Sequence, residues 1–411
     1  MMEKRVPDWR FGKEKWDCSK MKERFQKIIQ KNKKFLVNNV ISNSARYGLI
    51  KQNEFFEKEI ANKENIDGYY VIEKNDFVYN PRKSYSAPYG PICVYGYDEP
   101  GVVSPLYLCF RAVKEINVHF YNAYFSSAVW HKYISAHGDM GARHDRVSIQ
   151  DSVFFDMPIS TPPLSEQNKI ADYLTCIDNA IIAQEAKLDN IRAMKRGALA
   201  KIFSREWRFR DKNGRKFPEW EEKRLGEVCK RFYSGQTPKS TNSSFYNGDI
   251  PWLSSGDLNR SIIYKTEKKI TEAGRKNANL KIMPVGTFII AVFGLEADQV
   301  CGNCGILGIP STVNQACMCI FPNEKYLSSK FLFQWYLHMG KIYGNKYCQG
   351  TKQQNYNLEL LRQLDIVIPC LAEQQKIADY FLRLDKIIEA ESTALDAMRK
   401  IKRGLLQRLF V

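Results

Sequence analysis

The fold class that this sequence predicts is α+β: a tandem duplication of two mixed α/β domains separated by two long antiparallel coiled-coil helices, with pseudo-twofold symmetry. Three observations predict it. The stretch LSEQNKIADYL at 164–174 returns as LAEQQKIADYF at 371–381. The segments that begin there have heptad spacing of apolar residues. The residues between them contain short β-branched and aromatic runs bounded by Gly, Pro and Asn.

The repeat extends over both halves of the chain. Residues 164–203 align without a gap on 371–410, and weaker similarities precede each copy in the same order. These are RVPDWRF with KFPEWEE, NDFVYN with GTFIIA, and MGARHDRVSI with QGTKQQNYNL. An ordered set of this kind indicates a duplicated unit. The predicted segments are a first domain at 1–162, a central helix at 163–205, a second domain at 206–370 and a C-terminal helix at 371–411.

The two helical segments have a seam of apolar residues at alternating steps of three and four, and neither contains proline between 166–203 or 371–410. This spacing is typical of a coiled coil. The predicted seam residues are Ile170, Leu174, Ile177, Ile181, Leu188 and Ile191 in the first helix and Ile377, Phe381, Leu384, Ile388, Leu395 and Met398 in the second.

Charged seam positions predict the direction in which the helices pair. Parallel helices would place Lys195 against Lys402, and these two cations repel each other. Antiparallel helices that overlap fully would place Lys195 near Asp379 and Lys402 near Asp172. We therefore predict antiparallel pairing. The alternative is that each helix packs separately on its own domain.

The domains contain several strand candidates and two helix candidates. The strand candidates are YYVI at 69–72, FVYN at 77–80, LYLCF at 106–110, IPWLSS at 250–255, GTFIIAVF at 286–293 and ACMCIFP at 316–322. The helix candidates are a basic stretch at 20–36, whose Lys and Arg would face outward, and KFLFQWYLHMGKIYG at 330–344.

The charge balance favours a polyanionic partner. The chain has 411 residues, with 62 Lys and Arg against 45 Asp and Glu and a formal net charge of +17. Nucleic acid is the commonest partner of so basic a protein, and the alternative is a basic surface that aids solubility. The chain opens with the charged stretch MMEKRVPDWRF. Its longest uncharged apolar run, at 282–295, contains Pro284 and is too short to span a bilayer. We expect a cytoplasmic protein without membrane contact.

Motifs of catalysis and metal binding are weak or missing in the sequence. It has no GxxxxGK[ST] loop, no Gly-rich nucleotide-binding turn and no Asn/Asp-Pro-Pro-aromatic motif of amino methylation. Cys301, Cys304, Cys317 and Cys319 supply four thiols that suit zinc. The last two lie two apart in a predicted strand, which favours buried core cysteines instead. We expect no metal or cofactor in this chain, and recognition rather than catalysis.

The repeated helical segments and the junction between the two halves resemble a known family. The pattern PPLSEQNKIADYL…MKRGALAKIF, repeated as PCLAEQQKIADYF…IKRGLLQRLF, is similar to the helical regions of the specificity subunit of type I restriction-modification enzymes. The stretch at 204–228, SGQTPKS at 234–240 and DIPWLSSGDL at 249–258 resemble the entry to that family's second target-recognition domain.

The resemblance implies a mechanism. Each globular domain would read one half of a bipartite site in double-stranded DNA, and the helix pair would set the spacer between the halves. The helices would also dock two modification subunits, which use S-adenosylmethionine to methylate adenine. Restriction subunits that use ATP and magnesium would join them. The chain itself would then be a non-catalytic subunit.

Polar loops at matching places in the two halves are the predicted DNA contacts. Arg, Lys, Asn and Gln read base edges, and the same residues with Thr bind phosphates. The predicted DNA-binding residues are Arg143 and His144 in GARH, Lys352, Gln353, Gln354 and Asn355 in GTKQQN, and Thr237 and Lys239 in GQTPKS.

Other functions remain compatible with the residues alone. One is a stand-alone sequence-specific DNA-binding protein, and another is a structural coiled-coil scaffold without an enzyme partner. A self-contained enzyme is a third, and turnover of S-adenosylmethionine by the isolated chain would identify it.

Overall fold

The chain forms two compact units in a computed structural model. The first unit is Met1–Glu185 with Thr393–Val411, and the second unit is Ala186–Ser392. The residues that the structure describes are 7, 9–45, 47–52, 66–139, 145–294, 302–347, 354–355 and 357–410. Within these ranges, no helix combines the length and apolar character that a membrane span requires.

The first unit combines short strands with helices packed on them. Its strands are β1 Asp17–Lys20, β2 Phe25–Lys27, β3 Ile41–Ser44, β4 Gly48–Lys51, β5 Tyr70–Ile72, β6 Phe77–Tyr79, β7 Ile92–Val94, β8 Gly101–Val103, β9 Leu108–Ala112 and β10 Pro158–Thr161. Its short helices are α1 Val118–Ser126, α2 His131–His137 and α3 Asp151–Phe155. The long helix α4, Leu164–Phe203, begins in this unit and ends in the second.

The second unit has a similar composition. Its strands are β11 Glu221–Arg224, β12 Cys229–Ser234, β13 Tyr246–Leu253, β14 Ile262–Ile263, β15 Lys268–Ile270, β16 Phe288–Ala291, β17 Phe293–Gly294, β18 Cys304–Leu307, β19 Thr312–Val313, β20 Cys317–Pro322, β21 Gln354–Asn355 and β22 Asp365–Ile368. Its short helices are α5 Leu225–Val228, α6 Glu272–Asn277, α7 Ser329–Tyr347 and α8 Leu358–Arg362. The long helix α9, Leu371–Leu409, begins here and ends in the first unit.

Each unit has its own central sheet, and the two sheets have the same strand order. The antiparallel order β2-β9-β6-β7 in the first unit matches β12-β20-β16-β18 in the second, where β14 adds a fifth strand. Register agrees as well, because Val78 pairs with Cys109 and Ile289 pairs with Cys319. The duplication therefore includes the domains, and the predicted α+β tandem fold is confirmed.

The units differ in what surrounds this sheet. The first adds the hairpin β3-β4 and the pair β5-β8, whose apolar residues form a separate cluster around Tyr95. The second adds the sheet β15-β13-β19, with its own small core around Trp252. The structural differences between the two units thus lie in parts that surround a common central sheet.

Most predicted elements are confirmed, and one is wrong. All six strand candidates contain strands, and the stretch at 330–344 lies within α7. The basic stretch at 20–36 is not one helix: it contains β2 between two short 3-10 turns. Its residues pair as a strand because Phe25 and Met21 are core residues, and β2 hydrogen-bonds to β9.

Ion pairs fix the direction of the long helices within each unit. In the second unit, Lys195 binds Asp385, and Lys187 Nζ lies 2.6 Å from Glu391 Oε1. Moving forward along α4 from Lys187 to Lys195 therefore means moving backward along α9. In the first unit, Lys402 binds Asp178 and Arg399 lies 2.6 Å from Glu185, which gives the same direction. The helices are antiparallel in both units.

The predicted partners of the two lysines are wrong by six positions. Lys195 binds Asp385 rather than Asp379, and Lys402 binds Asp178 rather than Asp172. The prediction assumed that the helices overlap along their whole lengths. In fact the first turn of α9 holds Glu373, which bonds to the globular part of its own unit.

The structure places every predicted seam residue at a buried or half-buried position. The fully buried members lie toward the start of each helix, where Ile170 and Ile377 are both 0% exposed. Each of these two residues belongs to the main apolar cluster of its own unit. The start of each long helix is thus a domain helix as well as a coiled-coil helix.

A charge swap tests the observed seam. Lys195→Glu or Asp385→Lys alone should lower the free energy of unfolding by about 1–3 kcal/mol, because each places like charges together at a partly buried site. The double swap should restore most of that loss. Urea unfolding of the four proteins measures the coupling, and purely additive losses would contradict the pair.

Candidate nucleic-acid interface

A buried carboxylate anchors the start of α4 in the first unit. Glu166 is 3% exposed and accepts hydrogen bonds from Trp16 Nε1 at 2.9 Å and from the backbone N–H groups of Phe11 and Gly12 at 3.2 and 3.1 Å. Arg10 Nη2 lies 3.3 Å from the same carboxylate. A Cβ on Gly12 would lie 2.9 Å from Glu166 Oε2, so a larger residue there would shift the carboxylate.

The second unit builds the same anchor at the start of α9. Glu373 is 0% exposed and accepts from Trp220 Nε1 at 3.1 Å and from Arg208 Nη2 at 2.9 Å. Hydrogen bonding to Glu373 raises the pKa of the Arg208 guanidinium. Both glutamates lie in the first helical turn, where the helix dipole stabilises negative charge.

Each anchor holds a Trp-Arg-Phe peptide that precedes its domain. Trp9 and Phe11 pack on Tyr173 with ring centroids 4.9 and 5.7 Å away. Trp207 and Phe209 pack on Tyr380 at 5.3 and 5.7 Å. The counterpart of DWRF at 8–11 is therefore EWRF at 206–209, and the predicted match of RVPDWRF with KFPEWEE is wrong. The repeated WRF letters were the signal that sequence reasoning missed.

The neighbouring glutamine positions the aromatic helix of each domain. Gln167 accepts from Asn117 N at 2.9 Å, and Asn117 caps α1 by accepting from Phe120 N. Gln374 accepts from Ser328 N at 2.9 Å, and the Ser328 hydroxyl accepts from Phe331 N just inside α7. The repeated Glu-Gln dipeptide thus orients each domain on the helix that follows it.

The far end of each long helix packs on the aromatic helix of the other half of the sequence. Phe203, at the end of α4, lies 5.7 Å from Phe331 of α7 in the second unit. Phe410, just after α9, lies 5.4 Å from Phe120 of α1 in the first unit. These contacts are equivalent in the repeat.

The described residues next to the GARH and GTKQQN stretches pair alike in the two units. Arg143, His144, Lys352 and Gln353 lie outside the described residues, whereas Gln354 and Asn355 form β21. In the second unit β21 pairs antiparallel with β17, directly after β16. In the first unit an antiparallel bridge joins Arg82, directly after β6, to Arg146. The described residues that follow the two predicted loops, Arg146 and Asn355, therefore pair next to matching strands of the two central sheets.

The loop at 235–240 in the second unit is held by its backbone. Trp252 Nε1 donates to Gln236 O at 3.3 Å, and the Tyr246 hydroxyl donates to Pro238 O at 2.6 Å. Thr237 and Lys239 are exposed, and the Thr237 hydroxyl donates to Gln315. Exposed polar side chains on a fixed loop suit binding to a phosphate backbone.

The described cysteines of the candidate zinc set belong to the core. Cys304, Cys317 and Cys319 are each 0% exposed, and burial raises the pKa of the Cys304 and Cys319 thiols to about 12. Cys301 lies outside the described residues. Among the residues that the structure describes, no group of three or more His, Cys, Asp or Glu has a metal-binding arrangement.

Comparison with known proteins identifies two family matches in the chain. The family described as type I restriction modification DNA specificity domain matches residues 13–193 and 218–398. The MjaIX specificity subunit of Methanocaldococcus jannaschii is 28% identical over 216 residues, which are 51% of this chain and 48% of that protein. The EcoR124I/EcoR124II specificity subunit of Escherichia coli is 28% identical over 183 residues, 43% of each chain. The chain thus spans about half the length of these relatives.

Solved structures show the same fold. The type I restriction-modification system S subunit from M. genitalium superposes with a TM-score of 0.57 at 16% identity, covering 99% of both chains. A chain from a structure of type I R-M complex assembly gives a TM-score of 0.60 at 16% identity, covering 96% of this chain and 97% of that one. The resemblance noted from the sequence is confirmed.

Removing the second anchor should destabilise the chain. Glu373→Ala would leave the buried Trp220 N–H without its acceptor. It would also remove one carboxylate from Arg208, which keeps its bonds to Glu219 and to two backbone carbonyls. We expect the free energy of unfolding to fall by about 2–3 kcal/mol. Glu324→Ala, which changes an exposed glutamate of the same unit, should stay within about 0.5 kcal/mol. Urea midpoints of the two variants provide the comparison, and equal midpoints would contradict the role of Glu373.

Proposed function

Because this chain belongs to the type I restriction modification DNA specificity family, we propose that it recognises DNA as the non-catalytic subunit of a multisubunit restriction-modification enzyme. Each unit reads one half of a bipartite site in double-stranded DNA. The observation that carries this proposal is the contrast between the two units. Their anchors and central sheets are equivalent, whereas the parts added to those sheets differ.

That contrast suits a protein that has two different DNA-binding surfaces on a repeated structural framework. A duplicated binder with one target would keep both of its binding surfaces alike. Here the support is repeated residue for residue: Glu166 corresponds to Glu373, Gln167 to Gln374 and Tyr173 to Tyr380. The divergent β3-β4 and β15-β13-β19 regions supply different surfaces for two different half-sites.

The repeated helices also suit two identical partners. We infer that the outer faces of α4 and α9 dock two modification subunits, since a repeated surface binds two copies of one protein. Those subunits carry S-adenosylmethionine and methylate adenine. Restriction subunits carry ATP and magnesium and join the same assembly. This chain contributes no cofactor and performs no catalytic step.

The antiparallel helix pair sets the unread spacer between the half-sites. Its length is fixed by helical rise, about 1.5 Å per residue. The net charge of +17 favours association with the phosphate backbone along the whole assembly.

Methylation mapping tests the proposal directly. The full chain is expressed with its cognate modification subunits in a host that lacks other adenine methylation, and methylated positions are mapped across the genome. We expect one split motif, with two short sequences at a fixed separation. The same modification subunits without this chain serve as the control. Absence of a new motif, although the subunits co-purify with the chain, would contradict the proposal.

Lengthening both helices tests the spacer. Inserting one heptad after Glu185 and one after Ser392 preserves the seam and adds about 10 Å. The methylated motif should keep both half-sites and gain about three base pairs between them. If the half-site sequences are lost while circular dichroism shows that the helix pair is still folded, the helix pair does not set the spacer alone.

A further inference from the structure

A basic cleft lies in the first unit at the edge of its central sheet. It has a volume of about 380 Å³ and is lined by polar side chains, by Leu106, Tyr107 and Tyr47, and by the apolar residues Ala45, Ile50, Pro81 and Pro91. The charged residues of its described lining are three bases: Arg82, Lys83 and Arg146. Positive charge over polar and aromatic surface suits a nucleic acid.

The floor of the cleft is rigid. Asn43 is 4% exposed and donates to Val78 O at 2.7 Å. Asn80 donates to Asn43 O at 2.9 Å and accepts from the backbone N–H of Arg82 at 3.0 Å. Gly90 adopts φ +83°, and a Cβ there would lie 2.0 Å from Asn80 O. This packing fixes the backbone from which Arg82 projects.

Arg82 and Arg146 face each other across two extended segments. An antiparallel bridge joins them, and Val147 N donates to Pro81 O at 2.9 Å while Lys83 N donates to Asp145 O at 2.8 Å. Asp145 lies 3.6 Å from both guanidinium groups, so one carboxylate is shared by two arginines. Net positive charge is left at the cleft.

The side chains of the two arginines differ in their exposure to solvent. The side chain of Arg146 is 29% exposed and that of Arg82 is 67% exposed. A half-buried guanidinium keeps one direction, as a bidentate contact to a base edge requires. An exposed guanidinium adapts to a phosphate, whose position is set by the DNA backbone.

The second unit has no charge at the equivalent places. Phe293 pairs with Asn355 where the first unit pairs Arg82 with Arg146. The two strand pairs follow β16 and β6, which are the matching strands of the two sheets. The shared scaffold therefore carries an arginine pair in one unit and a neutral pair in the other.

We propose that this cleft contacts the half-site read by the first unit, with Arg146 at a base edge and Arg82 on backbone phosphate. The inference rests on the proposed function and adds residues with distinct roles to it. It also predicts that the second unit reads its half-site with uncharged groups at this position.

Two variants separate the roles in the complete complex with modification subunits. Binding is measured by fluorescence anisotropy to a labelled duplex carrying the mapped site, and to an unrelated duplex, between about 50 and 200 mM KCl. Arg146→Lys keeps the charge and loses the bidentate fork. It should weaken the mapped site about 5- to 150-fold, leave the unrelated duplex unchanged and relax one base pair of one half-site.

Arg82→Ala should weaken both duplexes alike and reduce the slope of log K against log[KCl] by about one. Lys74→Ala is the control, because it removes an exposed cation of the same unit that pairs with Asp98 outside the cleft. If both arginine variants behave as this control does, the cleft is not a DNA contact. If the wild-type complex does not prefer the mapped site, the proposed function fails instead.

Discussion

The hydrogen bonds to one buried carboxylate at the start of each long helix determine how each domain is oriented on that helix. Glu166 and Glu373 collect their donors from a tryptophan, an arginine-bearing peptide and, in the first unit, two backbone N–H groups. A buried carboxylate is stable only when such donors surround it. The adjacent glutamines fix α1 and α7 by their caps. Every other element of a domain is therefore placed relative to the first turn of its helix.

The repeated parts of the two units are distinct from the parts that differ between them. The anchors and central sheets are equivalent in the two units, so each domain is held to its long helix by the same type of contact. Surfaces around β3-β4 and β15-β13-β19 have no such shared role. Arg82 and Arg146 stand where the second unit has Phe293 and Asn355, although the flanking strands pair alike. A protein built this way can change what it binds without changing how it is assembled.

The sequence predicted the long helices, their direction and the duplication, because these depend on local period and on repeated letters. The observed partners of Lys195 and Lys402 lie six positions from the predicted ones. Local sequence does not show that the first turn of α9 bonds to its own domain, so it could not give the extent of the overlap. The WRF counterpart was missed because Trp16 and Trp220 stand at different distances from the repeated motif. Arg82 and Arg146 were not paired because a bridge over 64 positions depends on the tertiary fold.

The contact between Phe410 and Phe120 has a consequence for the order of events on the ribosome. Leu409 and Phe410 follow the whole second unit along the chain, yet they are core residues of the first unit. The part of Phe120 and Tyr124 that packs on Phe410 therefore stays uncovered while the second half is translated. The first unit therefore completes its core only after the end of α9 has been synthesised, which gives nascent-chain chaperones a defined surface to protect until then.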